Sequence, residues 1–143
     1  MSRIHLLDTS VYSQPIRRTM QAGVAARWPT MDQDTVAISA ICEAEVLFGL
    51  NKSGSERMRD IYSSVLRGRF QVLPVDAEVA ATYADLRADC ERMGIKVEDM
   101  DLLIAATAKT HGLIVATLNV SDFARIPGLT VEDWSAPPPT ASA

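Results

Sequence analysis

The sequence is poor in the side chains that build disulfide frameworks and zinc sites. It has two cysteines, Cys42 and Cys90, which form no Cys-x-x-Cys pair, and two histidines, His5 and His111. This composition excludes a disulfide-stabilised scaffold and argues against a zinc site. We expect both cysteines to be buried free thiols in a reducing compartment, and therefore a cytoplasmic protein.

The chain also lacks a surplus of positive charge and any long apolar run. Lys and Arg number 14 against 18 Asp and Glu, so the formal net charge is −4. No segment approaches the roughly 20 apolar residues of a membrane span, and the first apolar run is too short for a signal peptide. We therefore expect no membrane association. The charge argues only weakly against a nucleic-acid partner, because a site built from acids itself makes a protein acidic.

Neither a Gly-rich phosphate loop nor a Ser/His/Asp set is present. The chain instead has short apolar segments separated by helical patterns, and 48% hydrophobic residues are ample for one core. We predict helices over residues 15–28, 40–50, 76–93 and onward from 55 and 101, and strands over residues 4–7, 35–38, 70–75, 113–117 and 129–131. Strands that alternate with helices indicate an α/β domain with a mainly parallel central sheet. We place this domain at residues 2–134 and a disordered, Pro-rich tail at residues 135–143.

Acidic and polar residues follow two of the predicted strands. Asp8 comes directly after the first strand, and Thr117, Asn119 and Asp122 end or follow the strand over residues 113–117. In parallel α/β sheets, ligands bind beyond the carboxyl ends of the strands. These residues are therefore candidates for a shared site.

Asp101 directly precedes seven residues, 102–108, that are apolar except for Thr107. A helix that is apolar on nearly every side must be buried in a protein of this size. Asp101 then lies at the positive end of a buried helix. It is either a helix cap, worth about 0.5–2 kcal/mol, or a carboxylate that a buried element holds for metal binding or acid–base chemistry.

Glu45 is the acid that needs an explanation in the helix predicted after Ser39. At 100° per residue it falls in the middle of an arc of apolar and small residues, whereas Glu43 falls toward the opposite side. That arc consists of Ile41, Ala44, Phe48 and Gly49. An ionised side chain that faces the core is costly unless it is paired or bound to a cation.

Asp8, Glu45 and Asp101 are distant in sequence but can meet in one crevice. Two carboxylates about 4 Å apart repel by about 4 kcal/mol at an effective dielectric constant of 20. Three of them would have to take up protons or hold a cation, and oxygen ligands favour Mg²⁺ or Mn²⁺ over zinc. Such an ion usually acts on phosphate.

Four stretches together resemble the PIN domain family, and within it the VapC-type toxins of VapBC toxin–antitoxin modules and the related FitB protein. The match covers residues 4 to 134 in order, including an ending at 126–134 that is similar to the family's. The stretches are Leu6–Ser10, Ser39–Gly49, Asp101–Ala108 and Ala116–Phe123.

The resemblance implies a PIN-like three-layer sandwich and an endoribonuclease dependent on Mg²⁺ or Mn²⁺, with tRNA or rRNA as candidate substrates. It assigns the metal-binding acids to Asp8, Glu45 and Asp101. It also implies a homodimer that a VapB-like antitoxin neutralises in a heterotetramer or larger assembly, which meets operator DNA only through the antitoxin.

The chain departs from the family pattern at two positions. Many PIN domains carry a fourth Asp where this chain has Asn119, and Asp122 is the nearest replacement, so a second metal ion is in question. Ser10 stands where Asn is common, and both are short hydrogen-bonding side chains. We therefore include Asn119 and Asp122 as candidate catalytic residues and Ser10, Thr117 and Asp99 as candidate supporting residues.

Two other functions are compatible with parts of the sequence. A PIN-like protein could act by binding alone, in complex with a DNA-binding partner and with little nuclease activity. A metal-dependent phosphatase or receiver-like domain could use Asp8, but receiver domains carry paired acids after the first strand and a Lys after a late strand, and this chain has neither.

Overall fold

The computed structural model describes residues 3–139 and contains one sheet of five parallel strands. The spatial order of the strands is β3-β2-β1-β4-β5. The strands are β1 (His5–Leu7), β2 (Val36–Ser39), β3 (Gln71–Leu73), β4 (Ile114–Thr117) and β5 (Val131–Asp133). The prediction of an α/β domain with a mainly parallel sheet is confirmed.

The chain reverses its direction of travel across the sheet between β1 and β4. From β1 it passes to β2 and β3 on one side, and it then returns to add β4 and β5 on the other side of β1. Leu6 pairs with Ala37 of β2 and with Val115 of β4. A sheet of this type opens a crevice at the carboxyl ends of the two strands where the order reverses. Asp8 follows β1 at this crevice, and Thr117 ends β4 there.

Seven α-helices connect the strands within residues 3–139. They are α1 (Thr9–Tyr12), α2 (Ala22–Arg27), α3 (Ala40–Ser53), α4 (Glu56–Ile61), α5 (Ala77–Arg92), α6 (Asp99–Thr110) and α7 (Val120–Phe123). Two 3₁₀ turns cover Gln14–Ile16 and Trp28–Thr30, and a π-helical segment, Tyr62–Leu66, continues α4. No helix in the described part of the chain is long and apolar enough to cross a membrane.

Helix α6 is the buried helix that the apolar run after Asp101 predicts. Leu102 and every residue from Ile104 to Ala108 are buried, and the helix packs against α5, α3 and β4. The small side chains of residues 105, 106 and 108 allow this close packing. The helix begins at Asp99 with Glu98 in the N-cap position, so Asp101 lies in its first turn and does not cap it.

The prediction of one helix over residues 15–28 is wrong. Pro15 lies in a 3₁₀ turn of only three residues, Gln14–Ile16, and a regular helix starts at Ala22. The intervening chain folds around Gln14, whose buried side chain donates to the carbonyl oxygen of Ser10 and accepts from the backbone N–H of Gln21. These side-chain hydrogen bonds of Gln14 replace the helical hydrogen bonds that the spacing of apolar residues had suggested.

The carboxyl end of the domain packs against α2. Trp134 is buried, and the carbonyl oxygens of Ser135 and Ala136 accept from Gln21 and Arg27. A Cβ atom placed on Gly23 would lie 2.2 Å from the Trp134 oxygen and 2.6 Å from the Ala136 oxygen, so only glycine allows this approach. The tail predicted at residues 135–143 thus begins with two residues that contact the domain, while its residues 140–143 and residue 2 of the predicted domain lie outside the described part.

Candidate active site

Asp8 occupies the crevice between β1 and β4 and is 4% exposed. It is the N-cap residue of α1, and its Oδ1 accepts from the Val11 backbone N–H at 3.1 Å and from the Ser10 hydroxyl at 2.6 Å. Its Oδ2 accepts from the Thr117 hydroxyl at 2.5 Å. Burial raises the pKa of Asp8 above the usual value of 3.8, and the hydrogen bonds from Ser10 and Thr117 oppose that rise.

The two hydroxyls are oriented toward Asp8 by backbone amides. The Ser10 hydroxyl accepts from the N–H of Leu118 at 3.0 Å, and the Thr117 hydroxyl accepts from the N–H of Asn119 at 2.9 Å. Because a backbone N–H can only donate, each hydroxyl is left with its own proton for the Asp8 carboxylate. An ionised carboxylate has about four acceptor positions, and three are used here, so one lone pair on Oδ2 remains for a ligand.

Glu45 projects from α3 beside α1, and its Oε1 accepts from the Thr9 hydroxyl at 2.5 Å. The placement of Glu45 in the middle of a core-facing arc is wrong, because the buried residues of α3 are Cys42, Val46 and Leu50, and Phe48 is 65% exposed. Glu45 is half-buried at the edge of the buried face. It is therefore accessible from solvent and held by a hydrogen bond.

Glu43, which the helical pattern placed on the opposite side, is half-buried and has specific partners. Its Oε1 accepts from the hydroxyls of Tyr12 and Tyr62, both at 3.1 Å. These bonds tie α3 to α1 and to the π-helical segment after α4. Sequence reasoning missed this cluster, because tyrosines so distant in sequence give no local signal of their contact.

The electrostatic environment of Asp101 shows that the predicted acids lie in one region. Its pKa is raised from 3.8 to about 6, first by burial and then by the negative charges of Asp122, Glu45, Asp8 and Glu98, in that order. Acids from four separate parts of the chain therefore act on one carboxyl group. Neither Glu98 nor Thr9 was predicted to take part in the site, although each is close in sequence to a predicted acid.

Asn119 and Asp122 lie at the exposed rim of the same region. The backbone of Asn119 donates to Thr117, whereas its side chain is exposed. Asp122 lies in the first turn of α7, a short helix outside the segments for which a helix or strand was predicted. After burial, the negative charge of Asp122 makes the largest contribution to the raised pKa of Asp101, ahead of Glu45, Asp8 and Glu98.

The structure does not bring Asp99 into this group. Its Oδ1 accepts from the Tyr83 hydroxyl at 3.1 Å and lies 3.7 Å from a guanidinium nitrogen of Arg87, both on α5. Asp99 and Asp101 are two residues apart in one helix, so their side chains leave it in different directions. The expectation that Asp99 supports the site is therefore not supported by its contacts.

The acids suit a divalent cation by their chemistry and charge. Their donor atoms are all oxygens, and their mutual repulsion adds to the effect of burial in raising the pKa of Asp101. Within residues 3–139, however, no group of three or more His, Cys, Asp or Glu side chains is already arranged around a point where a metal ion could bind. Binding would require side-chain rotation, which is open to Glu45 and Asp101 because both are only half-buried.

The cysteines are not part of this chemistry. Cys42 and Cys90 are both buried and free, as predicted. Burial raises the pKa of the Cys42 thiol, which donates to the carbonyl oxygen of Leu7. A protonated, buried thiol is neither a nucleophile nor a metal ligand.

Comparison with known proteins identifies the family. The family model of the PIN domain matches residues 5–129. The chain is 34% identical over 133 residues to the tRNA(fMet)-specific endonuclease VapC of Shigella flexneri, a match that covers 91% of this chain and 97% of the relative. It is 36% identical over 126 residues to the toxin FitB of Neisseria gonorrhoeae, covering 82% and 89% of the two chains.

Solved structures agree with this assignment. The fold superposes on the crystal structure of DNA-bound VapBC from Salmonella typhimurium with a TM-score of 0.80 and 30% sequence identity, covering 94% of this chain and 99% of that one. Residues 5–129, which the family model matches, include every predicted site residue. The sequence matches and the fold lead to one conclusion: the chain belongs to the PIN domain family and, within it, to the VapC-type toxins.

Proposed function

We propose that this protein is the toxin of a type II toxin–antitoxin module and acts as an endoribonuclease that hydrolyses RNA phosphodiester bonds with Mg²⁺ or Mn²⁺. The observation that carries the proposal is the placement of two acids: Asp8 is buried in the crevice between β1 and β4 and held there by Ser10 and Thr117, and Asp101 lies in the first turn of the buried helix α6. Burial, and then the negative charges of Asp122, Glu45 and Asp8, raise the pKa of Asp101 to about 6. A fold gains no stability from such repulsion. Acids that a protein holds together at this cost are typical of functional sites.

Asp8, Glu45 and Asp101 would hold the cation through carboxylate oxygens. A divalent cation there would supply an activated water as the nucleophile and neutralise charge on the scissile phosphodiester. Asp8 presents the free lone pair of its Oδ2, because Ser10, Val11 and Thr117 donate to its other acceptor positions. Glu45 is positioned by Thr9.

Asn119 and Asp122 would act at the rim of the site. Asp122 provides a fourth negative charge, which favours retention of a cation by the group. The exposed amide of Asn119 can hydrogen-bond to a water or to the RNA without adding charge. This difference in charge between the two residues makes Asp122 the stronger candidate for the fourth acid.

A VapB-like antitoxin is the proposed partner. The support is the similarity to FitB and to a VapBC complex that was crystallised with DNA. We propose a homodimer that forms a heterotetramer or larger complex with the antitoxin, which alone contacts operator DNA. The protein would act in the cytoplasm on tRNA or rRNA, and the fold by itself does not select between these substrates.

The test is cleavage of structured RNA by the purified protein after removal of any partner. We expect cutting in Mg²⁺ or Mn²⁺, none in EDTA, and none with Asp8→Asn or Asp101→Asn. Asp99→Asn is the matched control: it removes the same charge from the same helical turn, but its side chain contacts α5, so activity should persist. Circular dichroism would check that each variant is folded.

Two results would contradict the proposal. Cutting that persists in EDTA, or in both Asp8→Asn and Asp101→Asn, would exclude a metal-dependent site at these acids. A folded protein that binds an antitoxin tightly but cuts no RNA would instead support the alternative, a PIN-like protein that acts mainly by binding.

A further inference from the structure

Two cavities open on either side of α1 and adjoin the acids. The Glu45-side cavity has a volume of about 380 Å³ and is lined mainly by apolar groups, with Thr9, Glu45, Val46 and Met58 among its residues. The Asn119-side cavity has a volume of about 430 Å³ and is more polar, with Ser10, Gln14 and Asn119 among its residues. Each cavity is thus lined by a residue close to Asp8, either Thr9 or Ser10, and by a candidate catalytic residue, either Glu45 or Asn119.

Arg17 lines both cavities. Its backbone N–H donates to the carbonyl oxygen of Gln14 at 3.0 Å, which fixes the start of its side chain at the end of the 3₁₀ turn. The guanidinium is exposed, and within residues 3–139 it forms no hydrogen bond or ion pair with another side chain. Arg57, the other arginine of the Glu45-side cavity, donates to the carbonyl oxygen of Ile16 and is already engaged.

The charge balance makes this free guanidinium significant. The chain has a net charge of −4, and the site concentrates negative charge from at least four acids. An RNA strand that enters such a site is repelled unless a fixed cation contacts its phosphates. Arg17 is the arginine that adjoins the acids on both sides of α1 and is free to form such a contact.

We propose that Arg17 binds the phosphate next to the scissile one as single-stranded RNA crosses α1, with the flanking nucleotides in the two cavities. This inference rests on the proposed ribonuclease function. Unpaired RNA is implied because its nucleotides can be splayed apart into separate cavities, whereas those of a duplex cannot. A guanidinium contacts phosphate oxygens through paired N–H groups and reads no base, so Arg17 sets the position of the strand and not its sequence.

Arg18 provides the matched control. It is the next residue, is also exposed and carries the same charge, but it lines neither cavity. Arg17→Gln and Arg18→Gln change the net charge identically. Arg17→Lys keeps the charge and loses the paired geometry. Because both positions are exposed, none of these three variants should affect folding.

The experiment measures the binding of a short fluorescein-labelled single-stranded RNA by anisotropy at several salt concentrations. All variants are made in the Asp101→Asn background, so that the RNA stays intact. We expect Arg17→Gln to weaken binding roughly three- to tenfold and to reduce the salt dependence by about 0.7, as for one lost phosphate contact on a single strand. The RNA affinity of Arg17→Lys should lie between those of Arg17→Gln and the parent, and the affinity of Arg18→Gln should match that of the parent.

Cleavage kinetics give a second readout in the otherwise unaltered protein. Arg17→Gln should raise KM more than it lowers kcat, because Arg17 contacts the strand and not the reacting atoms.

Three outcomes would overturn the inference. Equal losses for Arg17→Gln and Arg18→Gln would show a general effect of charge. If Arg17→Gln binds RNA as tightly as its parent, while the otherwise unaltered protein still cuts RNA, the contact is refuted and the proposed function stays intact. This holds even if Arg17→Gln binds a partner protein less well. A parent that neither binds nor cuts RNA would refute both proposals together.

Discussion

The hydroxyl of Thr117 donates to Asp8 Oδ2 across 2.5 Å, although 109 residues separate the two in sequence. Thr117 ends β4 and Asp8 follows β1, and these strands are neighbours in the sheet. The Asn119 N–H donates to the same hydroxyl, which leaves the Thr117 proton for Asp8. Through this bond the sheet fixes the orientation of a carboxylate at the centre of the proposed site.

We expect Thr117→Val, which keeps the side-chain shape and removes the donor, to lower cleavage activity or metal affinity roughly 10- to 100-fold, as is typical when a partner of a metal ligand is lost. Thr107→Val is the control, because the buried Thr107 hydroxyl donates to the carbonyl oxygen of Leu103 and does not contact the acids. Equal losses of activity in the two variants at equal thermal stability would contradict the positioning role of Thr117.

Asp101 should destabilise the metal-free protein when it is ionised. Its pKa of about 6 in the folded state exceeds the ordinary 3.8, so the native state holds the proton more tightly than the unfolded state does. The stability associated with protonated Asp101 is complete below pH 3.8 and is lost as the pH rises through about 6. Asp101→Asn, which cannot ionise, should therefore be the more stable protein at higher pH.

The measurement is urea unfolding in EDTA across this pH range. We expect Asp101→Asn to exceed the parent by about 1 kcal/mol near pH 8, a value reduced for solvent screening of a half-buried group, and to lose the advantage near pH 4. Asp99→Asn should show no such gain, because Asp99 faces Arg87. If the difference in unfolding free energy between Asp101→Asn and the parent is the same at every pH, ionisation of Asp101 among the other acids is ruled out as the cause of that difference.

Glu45→Gln should weaken Mn²⁺ binding in isothermal titration calorimetry, because it removes one of the negative charges that favour a hard cation. Glu43→Gln is the matched control on the same helix. It should leave Mn²⁺ affinity unchanged, since Glu43 binds Tyr12 and Tyr62. Unchanged affinity with Glu45→Gln would place Glu45 outside the group that holds the ion.

Gly49 is in the interior of α3, and a Cβ atom there would meet no atom within 4 Å. Gly49→Ala should therefore raise the free energy of unfolding by about 0.5–1 kcal/mol, as expected when alanine replaces glycine in a helix. Gly54→Ala is the contrasting variant. Gly54 ends the same helix at a φ of 65°, so alanine should destabilise the protein there. Thermal unfolding of both variants tests whether Gly49 is an unhindered position inside α3, and a loss of stability with Gly49→Ala would contradict this.

Local sequence patterns were sufficient for much of the architecture. Alternating apolar segments predicted the parallel sheet, and the apolar run after Asp101 predicted the buried helix α6. Asp8 and Thr117 were placed at strand ends from sequence alone, because the carboxyl end of a parallel strand is defined by where its apolar run stops. The direct contact between them was not predicted.

Periodicity alone did not determine which side of a helix is buried. In α3, apolar residues occur on more than one side, so the arc through Phe48 appeared as reasonable as the buried line through Cys42, Val46 and Leu50. Glu45 was identified as an important residue through a burial argument that the structure corrects. Only the packing of α3 on its neighbours decides this question.

The sequence by itself determined the kinds of residue available to the site: three spaced acids, two hydroxyls near Asp8, and no zinc ligands in a suitable pattern. The tertiary structure decided which side chains act on one another. It directed Asp99 toward Arg87, Glu43 toward two tyrosines, and Arg17 toward both cavities beside α1. The physical reason is that composition and spacing follow from the chain alone, whereas charges and hydrogen bonds depend on distances that only the packed fold establishes.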